Sequence, residues 1–447
     1  MKKYLFIFIL GFTALTFSAC DSWVDNNVNV NPNNPVDAPI NLVLPSAEVS
    51  LAYVVGGDLS RFTGVWMQHF QGVDRQFEPI NRYQQTESDI DNTWQTLYQT
   101  TLNSLRIVET KATESNSPHY RGVARILMAA AYGHIVDVWG DAPFSEAIGG
   151  NSNLKPKYDK AQDIYAGIQK MLDDGIADCS SASSTLKPTA TSDIIYAGNM
   201  AKWIKAAHAL KARYHWRLGN GASALTSIAN AIGAQADDAM VNFSEDPTGE
   251  NPLSQFMSQR SGYMTVGVKL VELMNATEDP RRDAYIEADK DGKFTIDCNP
   301  GPLFASSSSP VPLVTYAEMM FIRAEIKVGQ SEDADAKQSY TNAIKASMAL
   351  AGVGDAEATT YLGRADVMPS SALSLKHVME QKFLAMYTQP ETFSDWRRTG
   401  IPTLASPANA VGPTPRRFLY PLSERLYNSA NMPTGITTAN RLFWDNK

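Results

Sequence analysis

Apolar side chains recur at helical spacing through most of this chain, in blocks parted by short polar turns. The first block starts near Leu42 and holds its period to about Gln71. The second, Asp89 to Thr113, carries Trp94, Leu97, Tyr98, Leu102, Leu105 and Val108. Tyr120 to Val138 follows, dense in alanine and closed by Gly140. Asp159 to Ile176 predicts another helix, and a Ser/Thr-rich loop with Pro188 covers Cys179 to Ser192. Asn199 to Leu218 and Ala222 to Ile232 form a pair joined at Gly219-Asn220-Gly221. The period resumes in Leu313 to Val328, Asp333 to Ala351, Ala356 to Val367 and Leu373 to Tyr387.

Met240 to Pro312 breaks this pattern. Pro, Gly, Asn and Ser run through it, and only Thr265 to Ala276 predicts a helix. Asn299-Pro300-Gly301-Pro302 and Ser306 to Ser309 predict loop, and Asp291-Gly292 a tight turn between two strands. The tail after Gly400 is proline-rich. The pattern therefore predicts an all-α dominated fold with one loop-rich half. Helix pairs invite comparison with the tetratricopeptide repeat, which wants small, small, large and small residues at set spacings. Ala212, Ala224, Ile228 and Ala231 fit, and Ala324, Ala336, Tyr340 and Ala343 fit better. Small residues there let paired helices approach closely.

The start of the chain reads differently. Met1-Lys2-Lys3, an apolar stretch from Tyr4 to Phe17, and Ser18-Ala19-Cys20 predict a bacterial lipoprotein signal. The apolar stretch is too short to cross a bilayer core of ~30 Å. Residues 1–19 are then removed and Cys20 is lipidated, each buried CH₂ of the acyl chains adding ~0.8 kcal/mol of membrane affinity. Residues 20–45, with Asn31-Pro32-Asn33-Asn34-Pro35, predict an extended tether, because Pro removes donors and Asn favours turns. Residues 46–447 form one body, with the loop-rich insertion at about 240–312. No second apolar run approaches ~18 residues, so no transmembrane helix is expected.

The chain carries 39 Lys and Arg against 47 Asp and Glu, a net charge of −8. That balance argues against nucleic acid and against an anionic membrane surface, leaving the lipid as the only membrane contact. Cys179 and Cys298 follow Cys20, and the sequence leaves open whether they pair. Nucleophile-elbow, phosphate-loop, dinucleotide and zinc-protease motifs are all missing. His208 and His215 share a helix face but have no cysteine or carboxylate cluster beside them. Glu287, Asp289, Asp291 and Gly292 resemble half a calcium loop, but the twelfth position is Cys298, where a bidentate Glu is needed. No catalytic residue, metal or cofactor is expected.

Several segments resemble the SusD/RagB family of outer-membrane nutrient-binding lipoproteins, in its shorter-chain branch. They are the stretch after Cys20; Trp66 to Gly72; Trp94 to Tyr98; Ala129 to Tyr132 running into Asp137-Val138-Trp139-Gly140-Asp141-Ala142-Pro143-Phe144; Asp193 to Gly198 with Trp203 and Leu210 to Arg213; Asp279-Pro280-Arg281-Arg282; Trp396 to Gly400; and Arg417 to Pro421 with Glu424 and Asn428. The resemblance implies tetratricopeptide-like helix pairs packed with a loop-rich ligand-binding half. It implies an oligosaccharide or other nutrient as ligand and a SusC-type TonB-dependent transporter as partner. It also implies a place on the outer membrane, facing the cell exterior.

Within that frame the loop Gln71 to Glu87 is the expected ligand contact, through Arg75, Phe77, Asn81 and Tyr83, a mix of ring faces and donors that suits a sugar. Trp66 lies just before it, and Tyr263 and Phe294 come from the loop-rich middle. Arg281, Arg282, Arg397 and Arg398 are expected to organise loops through carboxylates. A lipid-anchored glycoside hydrolase and a helical-repeat scaffold are the competing readings.

Overall fold

The computed structural model describes residues 38–445, so the lipoprotein signal, Cys20 and most of the tether lie outside the described residues. Helix α1 spans Ile40–Trp66. It begins inside the expected tether and holds Pro45 within it. Pro45 costs one intrahelical hydrogen bond, and burial of Ile40 and Leu44 keeps the turn in place. By length and composition α1 could cross a membrane, which corrects the expectation that no such segment exists; half of its most apolar window packs inside the body. At Val55–Leu59 it loosens to π geometry around Gly57. Helix α2 repeats the device, running Asp91–Gln95, π-helical Thr96–Leu102 and Asn103–Glu114.

The long helices that follow are α3 (Pro118–Trp139), α4 (Ala161–Cys179), α5 (Met200–Arg217) and α6 (Gly221–Ile228). After the middle segment come α7 (Tyr316–Gly329), α8 (Asp333–Leu350), α9 (Leu375–Ala385) and α10 (Glu391–Thr399). The loop-rich tail adds α11 (Leu422–Tyr427). Starts are set by side-chain caps: Asn199, Asn220, Thr315 and Ser374 each accept a backbone N–H from the first turn. Helices pack in a row: α2 on α3, α3 on α4, α4 on α5, α5 on α6 and α7, and α7 on α8 and α9. The expected repeat positions are the contacts. Ala212, Ala224, Ala324, Ala336, Tyr340 and Ala343 are all fully buried. Gly122 shows why small residues sit at crossings: a Cβ there would stand 2.6 Å from Cys179 Sγ and 2.9 Å from the Gly175 carbonyl.

The middle segment is stitched into this helical body rather than standing apart. Strand β1 (Phe70–Gly72) pairs antiparallel with β3 (Met264–Val266), and β2 (Ala239–Val241) with β4 (Val311–Val314). The segment holds the helices Pro252–Gln259 and Val268–Ala276 and two single turns, more helix than its composition predicts. Asp291-Gly292 is a turn, but the two strands expected beside it are not formed; one isolated bridge from Ile286 to Pro300 closes the loop. The Asp289 carboxylate accepts the Asp291 and Lys293 N–H groups at 2.9 and 2.8 Å, so backbone occupies the would-be calcium ligand. Among the described residues no His, Cys, Asp and Glu cluster could hold a metal. Cys179 and Cys298 are both free and buried.

Charge threads the core. Arg213 meets Glu318 at 2.6 Å, and Arg217 is paired with both Asp137 and Glu391. Burial raises the proton affinity of Glu391, but the Arg213 and Arg217 guanidiniums outweigh it and hold the carboxyl down at about 2. Arg281 is forked onto Asp279 with Ser347 and Gln381 behind it, and Arg398 onto Glu325 and Asp395. Arg397 departs from the expected carboxylate pairing. It donates to the Arg416 and Phe393 carbonyls and Ser394, and lies 3.9 Å over the Phe393 ring. Arg282 departs from that pairing as well, donating to the Asp279 carbonyl with no carboxylate partner among the described residues.

Two of the sequence motifs close on each other. Phe418 donates its N–H to the Val138 carbonyl at 2.8 Å, and Trp139 Nε1 donates to the Leu419 carbonyl at 2.8 Å. Tyr420 OH donates to the Asp141 carbonyl at 2.6 Å. This strap delivers α11 to the end of α3.

Candidate functional site

The loop after α3, from Pro143 to Pro156, and α11 surround a cleft of about 430 Å³ whose remaining wall is the first part of α2. That wall holds Trp94, Gln95, Tyr98, Gln99 and Asn103; the loop adds Asn153 and Leu154, and α11 adds Glu424 and Tyr427. The π turn makes the wall. In an α-helix of about 3.6 residues per turn, positions nine apart such as Trp94 and Asn103 point to opposite sides. A π turn spreads more residues over each revolution, which brings both round to the cleft.

The rings are fixed and the amides are not. Trp94 and Tyr98 lie 4.6 Å apart, and Trp94 stands edge-on to Trp139 at 5.1 Å. Tyr98 OH donates to the Pro143 carbonyl at 2.7 Å, and Tyr158 OH to Glu424 at 2.8 Å. Burial, reinforced by Tyr132, Tyr158 and Glu424, pushes the Tyr98 phenol up, so it stays a neutral donor. Burial and then Glu424 do the same for Tyr158. Gln95 is half-buried and Gln99 exposed, and neither side chain has a hydrogen-bond partner among the described residues. Tyr427 is 72% exposed and Leu154 74%. Glu424 is the cleft's one carboxylate, held by Tyr158 and by Asn428 Nδ2 at 3.0 Å.

None of the seven residues expected from sequence lines this cleft. Three of them offer no face to a ligand at all, which corrects the expectation. Trp66 is fully buried against Phe393 and Phe418. Phe77, 1% exposed, sits on a short helix, Phe77–Asn81, that packs it on Phe62 and Phe256. Tyr83 is buried beneath Thr414. The expected loop is thus partly strand and helix, and its rings serve the core. Asn81 is half-buried and accepts the Gly72 N–H at 3.3 Å. Arg75 is exposed, and Tyr263 lies at the same end of the β1–β3 ladder, its carbonyl accepting the Val73 N–H at 2.9 Å. Phe294 is half-buried, 5.2 Å beneath the Arg282 guanidinium. Sequence periodicity missed Gln95, Gln99 and Asn103 because it assumes one helical pitch. Tyr427 follows Glu424 by three residues, and that spacing was its available signal.

The family model described as starch-binding and associating with the outer membrane, SusD-like, matches residues 32–421. Solved structures agree on the fold. A SusD/RagB family protein of Bacteroides thetaiotaomicron is 23% identical, with 92% of this chain and 99% of that one covered and a TM-score of 0.77. A SusD homolog of Bacteroides uniformis is 22% identical, with coverage of 91% and 99% and a TM-score of 0.75. A chitin-binding SusD homolog of Flavobacterium johnsoniae is 18% identical, with coverage of 91% and 98% and a TM-score of 0.75. No curated protein matches the sequence. The chain belongs to the SusD-like family.

Proposed function

We propose that the protein captures an oligosaccharide in the cleft between α2 and α11 and delivers it to a SusC-type TonB-dependent channel. The observation that carries this reading is the cleft wall: ring faces interleaved with two glutamine amides that bond to nothing else among the described residues. Sugar rings stack their C–H faces on aromatic side chains, and amides exchange hydrogen bonds with hydroxyls. The family description names starch and one structural neighbour is called chitin-binding, both chains of hexopyranose units. The cleft volume falls within the ~300–1,000 Å³ of pockets that bury small ligands. Arg75 and Tyr263 supply an outlying contact for a longer chain.

The protein binds without turnover. Glycosidases set two carboxyl groups about 5–9.5 Å apart, whereas Glu424 is the cleft's single carboxylate and is already hydrogen-bonded twice. Cys20 carries the lipid anchor and the body faces the cell exterior. Mass spectrometry of an acylated Cys20 and protease shaving of intact cells test that placement.

A glycan array followed by calorimetry tests the function. Tyr427→Ala and Gln99→Ala should each weaken glycan binding several-fold, since one ring stack contributes about 0.5–1.5 kcal/mol and one amide hydrogen bond about 0.5–1.5 kcal/mol. Both positions are exposed, so melting temperatures should not move. Released shorter products would favour the hydrolase, and saturation by no glycan would favour the scaffold.

A further inference from the structure

A second cleft, of about 270 Å³, touches the π-helical part of α2 through Thr96 and lies between the π turn of α1 and the Pro252–Gln259 helix. Its chemistry differs from that of the aromatic cleft. The π turn sets Asp58 and Arg61 side by side at its floor. Both Asp58 oxygens are engaged, one by the Arg61 guanidinium and the other by Thr93 Oγ1 at 3.2 Å. The Arg61 side chain is only 11% exposed. Its Nη1 reaches the Pro252 carbonyl at a long 3.4 Å, and its Nε has no partner.

A second guanidinium shares the same platform. Arg61 lies 4.5 Å and Arg260 5.6 Å from the centroid of the Phe256 ring. Arg260 is exposed, and its one polar contact among the described residues is Gln259 at 3.4 Å. The cleft therefore sets two cations against one carboxylate, Asp58, which Arg61 and Thr93 already occupy and Arg260 does not reach. Neighbouring like charges disfavour each other, and an anion between them removes the conflict. The planar fork of a guanidinium fits a carboxylate bidentately. A bare metal or phosphate site would not line itself with Phe256 and the stem of Gln255.

We infer that this cleft recognises the carboxylate of an acidic sugar residue, a hexuronate, with Arg260 as the group that selects it and Arg61 fixing the floor. The ring of the sugar stands against Tyr53 and Thr96, which line the cleft and are half-buried. The inference rests on the glycan-binding reading and names an acidic class of ligand for it.

Calorimetry on the purified protein should compare a hexuronate disaccharide with its carboxyl-reduced, neutral counterpart. The acidic form should bind at least tenfold more tightly, and the preference should shrink between 50 and 200 mM NaCl, as expected for a partly exposed charge pair. Arg260→Gln should abolish the preference and leave binding of the neutral form unchanged. Arg260→Lys should restore part of it, since Lys keeps the charge and loses the fork. A preference below twofold, or one that survives Arg260→Gln, overturns the inference. Neutral oligosaccharides that bind and are lost in Tyr427→Ala, with no preference for the acid, overturn it while leaving the glycan reading intact. Failure of every oligosaccharide to bind overturns both.

Discussion

Glu48 is the residue whose surroundings least suit its usual charge. It is fully buried on α1, where Oε2 accepts the Ile194 N–H at 2.8 Å and Oε1 has no partner. Burial first, then the nearby Asp193 carboxylate, raises its proton affinity well above the normal range. Asp193 is the better satisfied of the two, accepting from Tyr196 N–H, Gly198 N–H and Trp203 Nε1 at 2.9, 2.8 and 2.7 Å. A carboxyl raised in the folded state binds more protons there than in the unfolded chain. Stability attributable to Glu48 therefore falls as pH rises above the unfolded carboxylate value and stops falling once the folded group has ionised. Glu48→Gln keeps the acceptor for Ile194 and cannot ionise. It should melt higher than the parent at pH 8, by about 2 °C or more, with the gap closing towards pH 4. A variant that melts lower at pH 8 would show that Glu48 is ionised and needed as such.

At the scale of elements, the long helices were legible and the segments joining them were not. The Ala-rich period of α3 and the paired α7 and α8 follow from local spacing, so their bounds came within a few residues. Helix α10 went unread because Arg397, Arg398 and Asp395 hide its amphipathic face; all three are turned inward by partners from other elements. β1 and β3 are three residues each, too short for a period of two to register. The same shortness misled the site assignment: Phe77 has the composition of a loop around it, and tertiary contacts with Phe62 and Phe256 make it core. Gly72 is the joint on which that arrangement turns. A Cβ there would lie 1.9 Å from the Phe77 carbonyl oxygen, which is backbone and cannot swing aside. Gly72→Ala should cost about 1–3 kcal/mol as overpacking does, read as a lower urea midpoint, with amide exchange quickened in Phe70–Gly72. Unchanged exchange would mean the Phe77–Asn81 helix is free to shift.

Across the whole molecule, two buried histidines set the response to acid. His69 packs on Phe383 and Tyr387 and donates Nε2–H to the Phe383 carbonyl at 2.9 Å. Burial takes it down to about 3 despite that carbonyl. His134 is held to about 4, by burial first, with Glu391 opposing and Arg213 and Arg217 adding to the shift. Both histidines take up protons in the unfolded chain near pH 6.5 and in the folded one only far below it. The stability the two histidines contribute is complete above about pH 6.5 and is lost as pH falls towards 4, at about 1.4 kcal/mol per pH unit for each. Glu391 adds a later loss, from the unfolded carboxylate value near 4.5 down to about 2. Between about pH 6.5 and 4.5 the two histidines contribute about two protons to the pH slope of stability, and the raised carboxyls of Glu48 and Asp238 pull against them. His69→Phe should lower the measured slope of the urea midpoints by about one proton relative to the parent, whatever its absolute stability; an unchanged slope would remove His69 from this account.

The β1–β3 ladder has a consequence in time. Phe70 pairs with Val266, nearly two hundred residues further along the chain. A ribosome adding about 5–20 residues per second needs roughly 10–40 s to cover that interval. Throughout it the aromatic residues Phe70 and Phe77 have been made and the segment that covers them, including Phe256, has not. Synthesis order leaves the N-terminal third exposed to premature association, and a holding factor in the export route would have its longest task on this stretch.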